Sequence, residues 1–233
     1  MYLNYYMLGI LVLPGIILAI YAEIKVENTF NKYNNLIAQC GMTASQVARM
    51  FLDNAGLSDI QVIRVSGHLT DHYHHRKKII ALSESVYDSN SISAIGIACH
   101  EVGHAIQHKT KYTPIMIRNL IIHMSNISSR MLWPLIIVGV IFYYTPLGSV
   151  LLWVGIGTFA LSVLLNLITL PVEYNASKRA SSLLLNSTVL NEDEVHGVKQ
   201  VLNSAALTYV ASLVVSLLNL LRLILALFIN NRD

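Results

Sequence analysis

The chain has 233 residues, of which 54% are hydrophobic and only 12% charged, with a formal net charge of +3. That balance argues against an ordinary soluble domain, and so small a charge, with no block of like residues, argues against a nucleic-acid partner. Two cysteines, Cys40 and Cys99, are too few for a disulfide framework and read as reduced thiols of a cytosol-facing domain.

In chain order, residues 3–22 carry no charge and reach the ~20 residues that a bilayer core requires. No basic stretch precedes them and Ala22-Glu23 lacks a small-residue cleavage pattern, so 1–22 is expected to be a first transmembrane helix rather than a cleaved signal. The polar region 23–130 is long enough for a small catalytic domain. Within it, 35–56 reads as an amphipathic helix ended by Gly56. Residues 59–65 and 77–83 read as strands flanking a turn that carries His68, His72, His74 and His75. From Ser89 to about His108 the pattern is helical, with Ser and Asn available as caps.

Residues 131–146 and 148–170 are apolar and separated by Thr145-Pro146-Leu147-Gly148, which predicts a transmembrane hairpin over 131–170. Its first arm is short and is expected to extend back through Ile127-Ser128-Ser129, with Arg130 reaching toward the headgroups. A second polar piece, 171–205, precedes a fourth apolar stretch, 206–229, within a last segment 206–233 that carries Asn219 and Arg222. Lys and Arg concentrate in 23–130 and 171–205 and are absent before the first span and from the hairpin turn. The positive-inside tendency therefore puts both polar regions in the cytoplasm and both termini outside.

His100-Glu101-Val102-Gly103-His104 is an HExxH motif inside the expected helix. Residues four apart on a helix are rotated by ~40° and rise ~6 Å, so His100 and His104 can converge on one metal ion. Glu101 projects from nearly the same side as a general base. Zinc acidifies a water that it holds and polarises a carbonyl, and a hydrolytic site needs three protein ligands with one open position. His108 is ~12 Å along the axis from His100, so it reads as a surface histidine at the helix end. Two spans separate His104 from segment 171–205, which returns to the same side. Its first carboxylate is Glu173, near the start of a helix opened by Pro171. Glu192, Asp193 and Glu194 compete as ligands but read more readily as a solvated loop or helix cap.

Several stretches resemble the YugP-type neutral zinc metallopeptidases, distant relatives of the HtpX membrane proteases. They are Gly67-His68-Leu69-Thr70-Asp71-His72-Tyr73, Leu82-Ser83-Glu84-Ser85-Val86-Tyr87, HEVGHAIQH at 100–108, LPVEYNASKRA at 170–180 and AALTYVA at 205–211. The resemblance spans nearly the whole chain. It implies an HtpX-like plan in which the HExxH helix and a glutamate on a later helix, Glu173 here, bracket a transmembrane hairpin. Two positions depart from the pattern: Ser177 stands where an aspartate usually follows the glutamate ligand by four residues, and Asn175 stands where the YugP pattern has aspartate.

The expected fold is α+β and mostly helical, a small zincin-like catalytic domain fused to four transmembrane helices. The expected function is a membrane-embedded, gluzincin-type zinc endopeptidase of the cell membrane acting on membrane-associated or unfolded proteins. His100, His104 and Glu173 hold Zn2+ and Glu101 activates water; the partners are a peptide or protein substrate and the lipid bilayer. The sequence assigns no oligomeric state. The alternative is a catalytically silent zinc-binding scaffold or chaperone, although an intact Glu101 has no use there. A small transporter would need polar or broken helices at mid-membrane, for which only Pro14, Asn166, Asn219 and Arg222 speak. The four histidines of the 68–75 turn read as turn chemistry beside the cleft before they read as a second metal site. Lys78–Ser83 is equally an exposed edge strand for substrate addition or a covered strand. His196 and Tyr209 are weak candidates for stabilising an oxyanion, and Arg222 reads as a snorkelling or packing residue.

Overall fold

A computed structural model describes residues 9–142 and 145–230, with the side chains of 123–133, 136, 140, 149, 152 and 226–230 left aside. The elements are α1 (Leu13–Asn34), α2 (Ala44–Asn54), β1 (Gln61–Val65), β2 (His72–His74), β3 (Ile79–Ser83), α3 (Glu84–Tyr87), α4 (Ile92–Lys109), α5 (Thr113–Ile141), α6 (Pro146–Leu185) and α7 (Glu192–Asn230). The fold is thus mostly helical with one small sheet. The chain divides into two compact units, one of residues 1–21, 116–170 and 208–233 and the other of 22–115 and 171–207.

The second unit holds the sheet and a continuous apolar core. Helix α2 buries Ala44, Val47, Ala48, Phe51 and Leu52, the spacing of a single helical face. It begins nine residues later than the sequence pattern suggests. Thr43 and Gln46 form a reciprocal capping box, while Ile37 bridges to Ser91 and Gly41 takes a φ of +65°. Those features commit 35–43 to a non-helical approach. Gly56, at φ +62°, follows the helix end as expected.

The two expected strands form, but the histidine-rich turn between them contains a third. The sheet order is β1-β3-β2, with β1 parallel and β2 antiparallel to β3. Strand β3 is therefore central, and the edge-strand reading of 78–83 is overturned. Its run Ile80-Ala81-Leu82-Ser83 is wholly buried, as a strand paired on both sides requires. Helix α4 starts at Ser91, whose hydroxyl accepts from Ala94 N at 3.2 Å. It buries residues on every face, the mark of a helix at the centre of its unit.

Helix α6 differs from expectation. Pro171 lies inside this 40-residue helix instead of opening a new one. It removes one backbone donor, which the helix absorbs without ending, so Glu173 sits in mid-helix. The Thr145–Gly148 turn does separate α5 from α6: Pro146 opens α6, and Gly148 N donates to the Thr145 hydroxyl at 3.3 Å.

Among the described residues two helices, not four, are long and apolar enough to cross a membrane, α6 and the Glu192–Leu225 part of α7. These match the expected third and fourth spans. Residues 1–8 of the first expected span lie outside the described residues, as do the side chains of Arg130 and several residues in the second. In the first unit, Asn166 Nδ2 donates to Ser216 Oγ at 3.2 Å between α6 and α7, and Gly15 packs against Leu218 and Val215 of α7.

Candidate metal centre

Helix α4 supplies His100, Glu101 and His104, and α6 supplies Glu173. Gly103 lets the two helices meet: a Cβ there would lie 2.6 Å from Ala176 O, a clash with rigid backbone. The glycine inside the HExxH motif is thus the contact surface, and it brings a carboxylate 73 residues from His100 in sequence onto both histidines.

Glu173 Oε2 lies 3.2 Å from His100 Nε2 and 3.4 Å from His104 Nε2. One donor atom from each of the three residues falls within a 4.8 Å set. Tetrahedral zinc with bonds of ~2.0–2.1 Å puts neighbouring ligand atoms roughly 3.3–3.4 Å apart. Two imidazoles and a carboxylate at this spacing therefore fit the ion, and the donor set is of the kind zinc takes. Glu173 and His104 are buried and His100 is partly so. This is the one such group of three His, Cys, Asp or Glu side chains among the described residues.

The inner nitrogens of both rings are also engaged. His100 Nδ1 lies 3.1 Å from Ser177 Oγ, one helical turn beyond Glu173, so the serine at the first departing position reaches the ring directly. His104 Nδ1 lies 3.0 Å from Oε1 of Gln107, which is fully buried. Gln107 Nε2 donates to Val172 O at 2.7 Å and to Asn175 Oδ1 at 3.1 Å. A carbonyl can only accept, so the amide nitrogen must face α6 and the amide oxygen must face His104. That places the His104 proton on Nδ1 and leaves the Nε2 lone pair pointing at Glu173. Arg179 Nε holds Asn175 Oδ1 at 2.8 Å from the other side. Gln107 belongs to no motif that marks it in the sequence; its place three residues after His104 is the only signal there.

Glu101 is 7% exposed. Burial pushes its carboxyl above the usual carboxylate range, and the neighbouring His104 and His100 oppose that shift without cancelling it. A carboxylate made more basic in this way suits the taking and returning of a proton. The two upstream motif stretches meet each other: Asp71 Oδ1 accepts from Ser83 N at 2.7 Å, and His68 Nδ1 lies 3.3 Å from Ser85 Oγ.

Other expected residues fall elsewhere. His108 is not a plain surface side chain: half-buried, it stacks on His75 with centroids 4.6 Å apart and rings 9° from parallel, and it touches Tyr73. Glu194 caps α7, exchanging bonds with Asn191 and accepting from Gln39 N at 2.9 Å, which is the cap reading of that acidic cluster. His196 is exposed and bonds Gln200 at 2.9 Å, and Tyr209 belongs to the first unit. Cys40 and Cys99 are unbridged.

A family model described as "Putative neutral zinc metallopeptidase" matches residues 8–228. The chain is 43% identical over 217 residues to "Putative membrane protease YugP" of Bacillus subtilis (strain 168), covering 93% of this chain and 94% of that one. No solved structure matches.

Proposed function

Since the chain belongs to the neutral zinc metallopeptidase family, we propose that it is a membrane-embedded zinc endopeptidase of gluzincin type, cutting membrane-associated or unfolded proteins. The observation that carries this reading is the convergence of His100, His104 and Glu173 at zinc-ligand spacing beside a buried Glu101. Zinc held by those three side chains supplies Lewis-acid chemistry, acidifying water and polarising the scissile carbonyl. Glu101 takes the proton from the attacking water and returns it to the departing amine, a role that a buried carboxyl with a raised pKa suits. Gln107 holds His104 in the tautomer that the ligand role needs, and Ser177 holds the His100 ring in place. The zincin-like domain, four spans and a cytoplasmic catalytic side complete the proposal; the two apolar helices and the relative's printed name support its membrane part.

The test is Glu101→Gln. Purified with the parent, it should lose hydrolysis of an unfolded model protein by a factor of at least ~100, the scale of one general base, while binding the same amount of zinc. Unchanged turnover would refute the mechanism, and zinc lost with activity would make Glu101 a ligand.

A further inference from the structure

A cleft of about 520 Å³ opens among α2, α4 and α6. Lys178 and Arg179 line it, Asn54, Ser182 and Asn186 add uncharged polar groups, and no lining residue is acidic. Among the described residues neither cation is in an ion pair. Asp53, beside Asn54, is already held through both oxygens by Arg49, at 3.0 and 2.7 Å. A third cation, the ammonium of Lys109, donates to Ala55 O at the end of α2. The cleft therefore has positive charge without a counter-charge, which favours an anion.

The chemistry of the walls narrows the class. Two cations with several amide and hydroxyl groups offer more donors than a carboxylate's two oxygens need, and they suit the three oxygens of a phosphate group. Phe51, Ile106 and Leu183 give an apolar wall for an attached organic part. The guanidinium is already oriented, with Nε on Asn175 and Nη2 on Thr110 at 3.3 Å. Asn175 in turn holds Gln107, which holds His104.

We propose that this cleft binds a phosphate-bearing anion through Lys178 and Arg179, and that its occupancy steadies the Asn175–Gln107 support of His104. An anion on the guanidinium restrains the side chain that fixes Asn175, so ordering passes along one chain of hydrogen bonds to the imidazole. The first half stands on the cleft alone; the second rests on the metal-site reading above.

The experiment uses the full chain in detergent micelles at constant ionic strength. Inorganic phosphate and a short-chain phosphatidylglycerol are titrated separately, with chloride and the matching phosphatidylcholine as controls. Melting temperature and the rate of zinc loss to a chelator are read. The expected result is a saturable rise in melting temperature with a severalfold slower loss of zinc. A response to phosphate itself assigns a free phosphate, and a response to phosphatidylglycerol alone assigns a lipid headgroup. Lys178→Gln, which touches none of the bonds leading to His104, should raise the half-saturating concentration roughly tenfold, as expected for one lost charge-assisted contact. Arg179→Lys keeps the charge but not the fork, so it should still bind and no longer slow zinc loss. No saturable response to either anion, or an equal response in Lys178→Gln, overturns the site. Saturable binding with unchanged zinc loss overturns the coupling. A parent chain that retains no zinc would remove the metal-site reading, while the melting titration would still decide the cleft.

Discussion

At the scale of single residues, HExxH declares its own geometry, because a four-residue spacing on a helix converges two rings whatever surrounds them. The third donor is less legible. Glu173 competes in the sequence with Glu192, Asp193 and Glu194, and it is the approach of α6 to α4 that separates them. Gln107 is less legible still, since an amide in a helix has no motif of its own; its importance comes from full burial and from bonds to Val172, Asn175 and His104. The departures at Ser177 and Asn175 become intelligible in the same way, one reaching His100 and the other holding Gln107. Gln107→Leu should weaken zinc binding by about 10- to 100-fold, the usual cost of removing such a support. It should also remove the amide donor that Val172 O and Asn175 Oδ1 share, leaving Asn175 Oδ1 to Arg179 alone. Chelator competition on the purified protein measures the first effect, and an unchanged zinc affinity would show that Gln107 only fills space.

Elements follow local rules where capping and burial agree. Ser91, Thr43 and Gly56 mark helix ends as their chemistry predicts, and a buried apolar run marks β3. Strand β2 escapes the sequence because three residues, two of them histidines, have no alternation to read; pairing with β3 alone creates it. Pro171 misleads for a related reason. Proline favours a helix start but does not compel one, and packing of α6 against α4 carries the helix through. The Gly103–Ala176 approach is the contact on which that packing depends. Gly103→Ala forces a methyl group against backbone, so it should cost about 1–3 kcal/mol of stability, the range for overpacking, and reduce zinc retention as the helices part. Thermal unfolding and metal content read both; a variant as stable and as zinc-loaded as the parent would mean that the helices yield freely.

For the whole molecule, composition announces a membrane protein, and α6 and α7 carry that reading in the described residues. The division into two units is not visible along the sequence, because each unit draws on three or two separated segments. Such grouping depends on which helices pack, not on local composition. Orientation is a separate prediction drawn from charge. Lys and Arg concentrate in 23–130 and 171–205, so both should face the cytoplasm. Single cysteines placed near Asn4 and Lys109 in a cysteine-free background should react with an impermeant reagent in intact cells only near Asn4. Reaction near Lys109 alone would reverse the assignment.

In the proposed mechanism His100, His104 and Glu173 hold a catalytic zinc, which Glu101 serves without binding. Zinc content of the parent, Glu101→Gln and Glu173→Gln, purified in parallel and dialysed against a weak chelator, tests it most directly. About one zinc per chain is expected in the parent and in Glu101→Gln, as one three-ligand site allows, and marked loss of zinc together with proteolysis in Glu173→Gln. A Glu173→Gln protein that keeps its zinc as tightly as the parent and still cleaves substrate would contradict that mechanism.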